Sequence, residues 1–380
     1  MDFSYSEEQR QLADSLRRFT EERYPLEARR KANGFSRDAW RMYAELGVLG
    51  LVIGSEHGGF DGQATDTFAV QFEAGRALLP EPLIPCAVMA AGLIQRYGSE
   101  AQRHAWLPPI AEGREIMTLA YQEPSARYDF ARPSTVAEVR DDGFLLEGEK
   151  VHVWHGEAAQ SLIVSAWNPS AQAVSLFVVP SSAAGVSVRA YPTLDGTRDA
   201  QVTLNAVRVP KSALIGEAAR GESMLETALE LGIAALCAAS AGALERLIEM
   251  TAEYLSTRKQ FGQPLARFQA LRHRVADMAV QKELALSMAH LAASAIDHPS
   301  AVERRRMISS AKLIVSRAAR FVGEQAVQLH GGMGVTAELA VGDYFKSLMV
   351  ASLRLGDAEF HADVLANLPM IEPGTHALAA

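Results

Sequence analysis

The alternation of apolar and polar residues divides the chain into three parts. Residues 1–115 place apolar side chains at helical spacing, and Ser6 and Ser99 each stand three residues before a glutamine, which is the spacing of a helix-capping box. Ser36 likewise precedes a helical segment that Gly47 ends. We therefore predict an N-terminal α domain over residues 1–115.

Residues 116–221 change to short segments in which apolar and polar residues alternate. Residues 135–140 and 144–147 are two such segments, and the Asp-Asp-Gly turn at 141–143 predicts that they form a hairpin. Further apolar runs extend the region into a small sheet or barrel: residues 162–166, 174–179 and 186–188. We therefore predict a middle β domain over residues 116–221.

Long helical periods return after Gly221. Residues 225–255 are rich in Ala, Gly, Ser and Cys, whose small side chains let helices approach closely. We predict a C-terminal helical bundle over residues 222–380. The order of α, β and α domains makes the fold class α+β.

Composition and charge narrow the classes of function. With 48% hydrophobic and 22% charged residues the chain has the balance of a globular protein, and its net charge of -8 argues against a nucleic-acid partner. We find no apolar stretch of the ~20 residues that a membrane span needs. Cys86 and Cys237 lack C-x-x-C spacing, and the ten histidines show no metal-ligand motif, so we expect no metal and a cytoplasmic protein.

The C-terminal part carries three motifs that no composition argument explains. By itself each is weak, because Gly331 and Gly332 also suit an ordinary helix-breaking turn, and Arg258 suits a surface charge. The motifs are RKQFG at 258–262 with Phe-Gln at 268–269, QLHGGMG at 328–334, and Leu-Gly at 355–356. Their order and spacing, with Glu-Leu-Gly at 45–47 and Gly-Gly at 58–59, resemble the acyl-CoA dehydrogenase family over essentially the whole chain.

The resemblance implies an activity, a cofactor and partners. Members of this family bind FAD between subunits of a tetramer and introduce an α,β double bond into an acyl-CoA thioester. Electrons then pass to an electron-transfer flavoprotein. The overall pattern is similar to the small subunit of the family's two-subunit members, so both a homotetramer and an α2β2 assembly remain open. Monocarboxylyl, dicarboxylyl and steroid-derived acyl chains remain open as substrates.

Six residues would, by the resemblance, meet the FAD of a neighbouring subunit. Arginine suits a pyrophosphate because its fixed fork of donors is always charged, and glycine lets the backbone approach a cofactor closely. We call these residues the donated half of the FAD site: Arg258, Gln260, Phe261, Gln328, Gly331 and Gly332.

The half of the site that this chain would keep for itself departs from the family pattern. Gln122, ahead of Glu123-Pro124, and Trp154 stand where the family has flavin-contacting threonines. Asp357 stands where the family has a threonine near the phosphates, and its charge would repel a pyrophosphate. We call Gln122, Trp154 and their surroundings the retained half.

Both known positions of the catalytic base are vacant. The α,β-dehydrogenation of a thioester needs a carboxylate that removes the α-proton and, on the opposite side of the substrate, a flavin that accepts the β-hydride. The usual glutamate aligns with Leu355, and the alternative helical glutamate aligns with Gly232. Asp357 and Glu230 lie two residues from these positions and would point away on a helix. Two hypotheses follow: the chain is the small subunit of an FAD-dependent acyl-CoA dehydrogenase, or it is a non-catalytic structural subunit that completes the FAD site of a base-bearing partner.

Overall fold

The computed structural model describes residues 6–369 and has helices, then a sheet, then helices. The predicted α+β fold class is confirmed. The strands of the large sheet lie between Met117 and Pro210, and the C-terminal helices begin at Gly221. The domain limits at residues 115 and 221 stay a prediction.

The N-terminal helices begin where the sequence predicts. Ser6 and Ser99 each accept a hydrogen bond from the backbone N–H three residues on, and the side chains of Gln9 and Gln102 return the bond. Ser36 caps its helix in the same way, on the N–H of Ala39. The helices are α1 (Glu7–Glu22), α2 (Leu26–Lys31), α3 (Arg37–Glu45), α4 (Ala64–Ala77), α5 (Ala91–Tyr97) and α6 (Glu100–Ala111), with 3₁₀ turns at Val48–Gly50 and Ser55–His57 and a π-helix at Leu83–Ala90.

The middle domain is a seven-stranded sheet in the order β1-β4-β2-β3-β7-β6, with β5 paired to β4. β2 and β3 form the predicted hairpin, in which Arg140 lies opposite Gly143. The strands are β1 (Met117–Ala120), β2 (Val136–Arg140), β3 (Gly143–Trp154), β4 (Ser161–Asn168), β5 (Ala173–Pro180), β6 (Val186–Pro192) and β7 (Arg198–Pro210).

A buried ion pair fixes the loop that follows β1. Lys150 on β3 places its Nζ 2.7 Å from Glu123, which also accepts hydrogen bonds from the backbone N–H groups of Ser134 and Thr135. Burial alone would raise the pKa of Glu123, but the Lys150 charge and these hydrogen bonds lower it to about 2. The segment beside Gln122 is therefore held in one position.

The C-terminal helices are built around one long central helix, α7. Gly75 on α4 and Gly242 on α7 let these two helices touch, since a Cβ at either would lie within 2 Å of the other helix's carbonyl oxygen. The elements are α7 (Gly221–Thr257), β8 (Lys259–Gln260), β9 (Gln263–Pro264), α8 (Gln269–Ala295), α9 (Ala301–His330), α10 (Val341–Leu353) and α11 (Ala358–Asn367).

The apolar length of α7 corrects one expectation. The sequence-based expectation was that no stretch is long and apolar enough to span a membrane, whereas this helix is, by length and composition. Its most apolar window is 89% buried inside the protein. The apolar character of α7 is explained by its central position between α4, α8 and α9.

Candidate functional site: a cleft between the sheet and the C-terminal helices

A cleft of about 590 Å³ opens between the sheet and the end of α10. Gln122 lies on its wall, where its side-chain amide donates to the carbonyl of Arg127 and its own carbonyl accepts from Val151. The wall is formed by residues 122–125, 127–128, 151–152, 191, 199, 201 and 353–354. Of the two residues named for the predicted retained half, Gln122 lines this cleft and Trp154 does not.

Arg354 lines both this cleft and a second cavity, of about 120 Å³, whose lining includes Trp154. The guanidinium carbon of Arg354 lies 4.2 Å from the centre of the Trp154 ring, and its two terminal nitrogens lie 2.9 and 3.3 Å from the carboxylate oxygens of Asp199. Within residues 6–369 the buried indole Nε1 finds no hydrogen-bond partner. A cation–π contact and a nearly buried ion pair therefore hold Trp154 in place.

A β-bulge gives Trp154 this position. Lys150 pairs with Val202 on β7 and Val153 pairs with Ala200, so β3 carries one extra residue between these pairs. His152 and His155 have φ values of 51° and 56°, which non-glycine residues rarely adopt. Burial and the Arg354 charge lower the pKa of His155 to about 4, so His155 is a packed, neutral side chain.

The two vacant base positions lie next to each other in space. A Cβ placed on Gly232 would lie 3.0 Å from Cδ1 of Leu355 and 2.7 Å from the sulfur of Met89. These two apolar side chains therefore fill the place where a carboxylate from either position would stand. A small cavity of about 50 Å³ remains beside them, lined in part by Tyr121 and Ile233.

The nearby acids are engaged elsewhere. Glu230 on α7 lies 2.6 Å from the guanidinium of Arg304, and burial nevertheless raises its pKa. Asp357 caps α11 through the N–H of Phe360 and lies 2.6 Å from Arg127. The Arg127 contact offsets the charge of Asp357, which the sequence alone did not reveal. Glu230 nevertheless lines the same small cavity as Leu355, and its Oε1 is buried without a hydrogen-bond partner among the described residues.

His361 is a titratable group at this place that sequence reasoning missed. Its Nε2 lies 3.0 Å from the carbonyl oxygen of Leu355, and burial lowers its pKa to about 4. The neutral ring therefore carries its proton on Nε2 and donates it to that carbonyl. Nδ1 is buried and has no hydrogen-bond partner among the described residues.

The donated half lies on the surface of the C-terminal domain. β8 and β9 form a hairpin whose two turn residues, Phe261 and Gly262, both have positive φ, and Phe261 is 87% exposed at its tip. Tyr254 stacks on His330 at 4.4 Å and donates to its carbonyl, and it also accepts from the N–H of Arg258. These contacts bring the end of α7 beside the end of α9.

The donated residues are therefore gathered, while the retained ones lie apart from them. Arg258, Gln260 and Gln328 are exposed, and a Cβ at Gly331 or Gly332 would meet no other described residue within 4 Å. The described cavities that include Gln122 or Trp154 contain none of the six donated residues. The residues predicted to bind a neighbour's FAD and those predicted for this chain's own site thus lie in different places on the described part of the chain.

Comparison with known proteins agrees with this three-part arrangement. Three family models match consecutive parts of the chain: the acyl-CoA dehydrogenase N-terminal domain at residues 6–114, the middle domain at 118–207 and the C-terminal domain at 219–368. The chain therefore belongs to the acyl-CoA dehydrogenase family of oxidoreductases.

Individual relatives are distant but match over the full length. A probable acyl-CoA dehydrogenase of Bacillus subtilis, YngJ, is 27% identical over 377 residues, covering 96% of this chain and 99% of the relative. A glutaryl-coenzyme A dehydrogenase solved with glutaryl-CoA is 26% identical, with a TM-score of 0.90 and 96% of each chain covered. A chain of the ChsE4-ChsE5 complex from Mycobacterium tuberculosis is 25% identical, with a TM-score of 0.88, covering 97% of this chain and 100% of that one.

The ion pair at the inner end of the cleft gives a first testable prediction. Replacing Arg354→Met leaves the Asp199 carboxylate buried without its main partner, so we expect the free energy of unfolding to fall by about 3–5 kcal/mol. The double variant Arg354→Met/Asp199→Asn should recover a large part of this loss. Urea unfolding at pH 7 measures both, and a double variant no more stable than the single one would contradict the assignment.

The same pair predicts a dependence on pH. Burial would raise the pKa of Asp199, but the His152 ring and the Arg354 charge hold that pKa below its ordinary value. A lowered carboxylate pKa contributes stability that is present above the ordinary value of about 3.9 and is lost as the pH falls further. The stability difference between the wild-type protein and Asp199→Asn should therefore shrink as the pH is lowered below 4.

Proposed function

We propose that this chain is one subunit of a heteromeric, FAD-dependent acyl-CoA dehydrogenase that forms an α,β-unsaturated acyl-CoA thioester. The observation that supports this is an asymmetry between its half-sites. The donated half is exposed and gathered at the ends of α7 and α9, whereas in the retained half Arg354 covers the Trp154 indole and apolar Leu355 and Met89 pack at the predicted base positions. In a homotetramer every site would need both halves, but a partner with its own base needs only the donated one.

The donated half fits part of a dinucleotide cofactor. The exposed guanidinium of Arg258 suits a pyrophosphate, and the open surface over Gly331 and Gly332 leaves room for the cofactor against the backbone. When bound, FAD would accept the β-hydride of the thioester. This chain would contribute binding and orientation through Arg258, Gln260, Phe261 and Gln328.

The retained cleft does not fit the flavin in the same way. The family's small hydroxyl is replaced by the Trp154 indole, whose face Arg354 covers. Leu355, which aligns with the usual base, lines a separate cavity of about 50 Å³ instead of this cleft. We assign no reaction step to this chain's own cleft.

The relatives support this proposal as analogies. The ChsE4-ChsE5 structure is a complex of two different chains, and the sequence pattern resembles the small subunit of a pimeloyl-CoA dehydrogenase. Another similar chain comes from a structure of an electron transferring flavoprotein, 25% identical at a TM-score of 0.86, and an electron-transfer flavoprotein is the acceptor that we propose. The acyl chain stays open among monocarboxylyl, dicarboxylyl and steroid-derived classes.

A second candidate function is that the subunit is purely structural. The packing of Leu355 and Met89 against Gly232 favours it, because both base positions are closed by apolar side chains. The first candidate leaves turnover in this chain's own cleft open, although no step is assigned there, and the second excludes it. Stopped-flow flavin bleaching with a panel of acyl-CoAs distinguishes them when each subunit's site is inactivated in turn.

The donated half of the FAD site gives a further testable prediction. In the complex with a base-bearing partner, Arg258→Ala in this chain should weaken FAD binding in the partner's site at least ~10-fold, because a charge-assisted pyrophosphate contact is lost. Arg320→Ala is the matched control, since Arg320 is an exposed arginine of the same domain paired only with Glu324 in the described structure. FAD retention on dilution measures both, and equal retention in the two variants would contradict the proposal.

The vacant base position at Leu355 gives another testable prediction. Leu355→Glu should create no turnover in the isolated chain, because Gln122 and Trp154 would still replace the threonines that contact the flavin in the family. If the cleft did bind flavin and thioester, the new carboxylate would raise α-proton abstraction by about 10² to 10⁴-fold, and this gain would contradict our assignment. Substantial turnover by the isolated wild-type chain, unchanged in Leu355→Glu, would instead indicate another base, with His361 the nearest candidate.

A further inference from the structure

Three ligand-bearing side chains meet in the N-terminal domain, on the 3₁₀ turn Ser55–His57 and the first turns of α6. The imidazoles of His57 and His104 are nearly perpendicular with centres 4.8 Å apart, and Nε2 of His104 lies 2.9 Å from a carboxylate oxygen of Glu100. One ligand atom from each of these three residues lies within 4.8 Å of the other two. Glu100 and His104 share a helix face because they are four residues apart.

His57 is the unusual member of this group. It is only 2% exposed, and neither of its ring nitrogens has a hydrogen-bond partner among the described residues. The nearest carboxylate oxygen outside the group, from Glu56, lies 3.6 Å from Nε2, which is too far for a good hydrogen bond. A buried imidazole that makes no hydrogen bond costs free energy. A bound ligand would remove this cost, because no described residue supplies the missing partner.

A plain packing explanation accounts for only part of the geometry. His104 and Glu100 alone would be an ordinary exposed ion pair of a helix, and Arg103 lies 3.6 Å from the other oxygen of Glu100. This ion pair does not explain why His57 is buried without a hydrogen-bond partner and why its ring lies perpendicular to that of His104. A cation held by all three side chains would satisfy His57 and use the carboxylate charge.

We propose that His57, Glu100 and His104 form a binding site for a divalent transition-metal cation, with Zn²⁺ the best match. Two imidazole nitrogens and a carboxylate oxygen are a common three-ligand zinc set, with water or Glu56 available as the fourth ligand. Tetrahedral zinc ligands lie about 3.4 Å apart, so the exposed side chains of Glu100 and His104 need to close inward by roughly 1 Å. Mg²⁺ and Ca²⁺ prefer all-oxygen sites and are poorer matches.

The site would join the turn at residues 54–62 to α6 rather than take part in dehydrogenation. Gln95 already holds this turn through the N–H of Gly54, and Gln102 on α6 donates to the carbonyls of Ser212 and Leu214 beside the sheet. The first contact joins the turn to α5 and the second joins α6 to residues 212–214, so a bound cation would add a direct connection between the turn and α6. We therefore assign it a structural role in the N-terminal domain.

The test is a Zn²⁺ titration of the full-length, metal-stripped protein, followed by calorimetry and by the change in Tm. We expect saturable uptake of one Zn²⁺ per chain, a rise in Tm, and a loss of affinity of at least ~10-fold in His104→Ala. His104 is exposed, so this variant should fold normally. His273→Ala, an exposed histidine outside the group, is the matched control and should bind as the wild-type protein does.

Two further measurements complete the test. His57→Phe retains a buried ring against His104 and should lose Zn²⁺ uptake, and Co²⁺ substituted for Zn²⁺ should give the visible absorption of a four-coordinate site. Uptake that does not saturate, or that is equal in the wild-type protein, His104→Ala and His273→Ala, would overturn the proposal. If His57→Phe fails to fold, the comparison of His104→Ala with His273→Ala decides.

Discussion

The contact of Arg354 with Asp199 and Trp154 is the interaction on which the retained half-site depends. It joins the end of α10 to β3 and β7, and both charges are largely removed from water. A buried pair of this kind tolerates neither partner alone, so the two segments are fixed relative to one another. The turn that follows Arg354 places Leu355 in a left-handed conformation, with φ of 59°, against Gly232. The Arg354–Trp154 contact and the packing of Leu355 on Gly232 thus belong to one local arrangement.

The donated half differs from the retained half because its residues are exposed on the surface of the C-terminal domain. Phe261 is exposed at a hairpin tip, and the glycines after α9 lie open, which is costly to maintain in a chain that uses them for nothing. The stacking of Tyr254 on His330 keeps the two motifs together without help from the sheet. Our proposal of unlike subunits rests on this contrast between an exposed group of predicted FAD-binding residues and apolar side chains at the predicted base positions.

Much of the fold could be predicted from local sequence signals. The capping boxes at Ser6 and Ser99 and the two-residue hairpin before Gly143 depend on residues three or four apart, and the structure has them all. Contacts between distant segments left no such signal. Arg354 reaches Trp154 across 200 residues and Arg127 reaches Asp357 across 230, so neither pair could be foreseen.

Spacing also misled in two places. The sequence-based search found no apolar stretch long enough to span a membrane, but α7 is one. Only the three-dimensional packing shows that this helix is apolar because it lies inside the protein. The histidine group was missed because His57 is far in sequence from α6, although Glu100 and His104 at four-residue spacing were a visible half of it. The roles of the six donated residues and of Gln122 and Trp154 stay predictions that need a measurement.

The most direct measurement of the central claim is the flavin content of this chain alone and with a base-bearing partner. If the retained cleft is filled and the donated half is intact, the isolated chain should carry little FAD, and the co-purified assembly should contain about one FAD for every two chains. Full occupancy of one FAD per chain, together with turnover by the isolated chain, would show that the cleft accepts flavin despite Trp154 and Arg354, and would contradict the account.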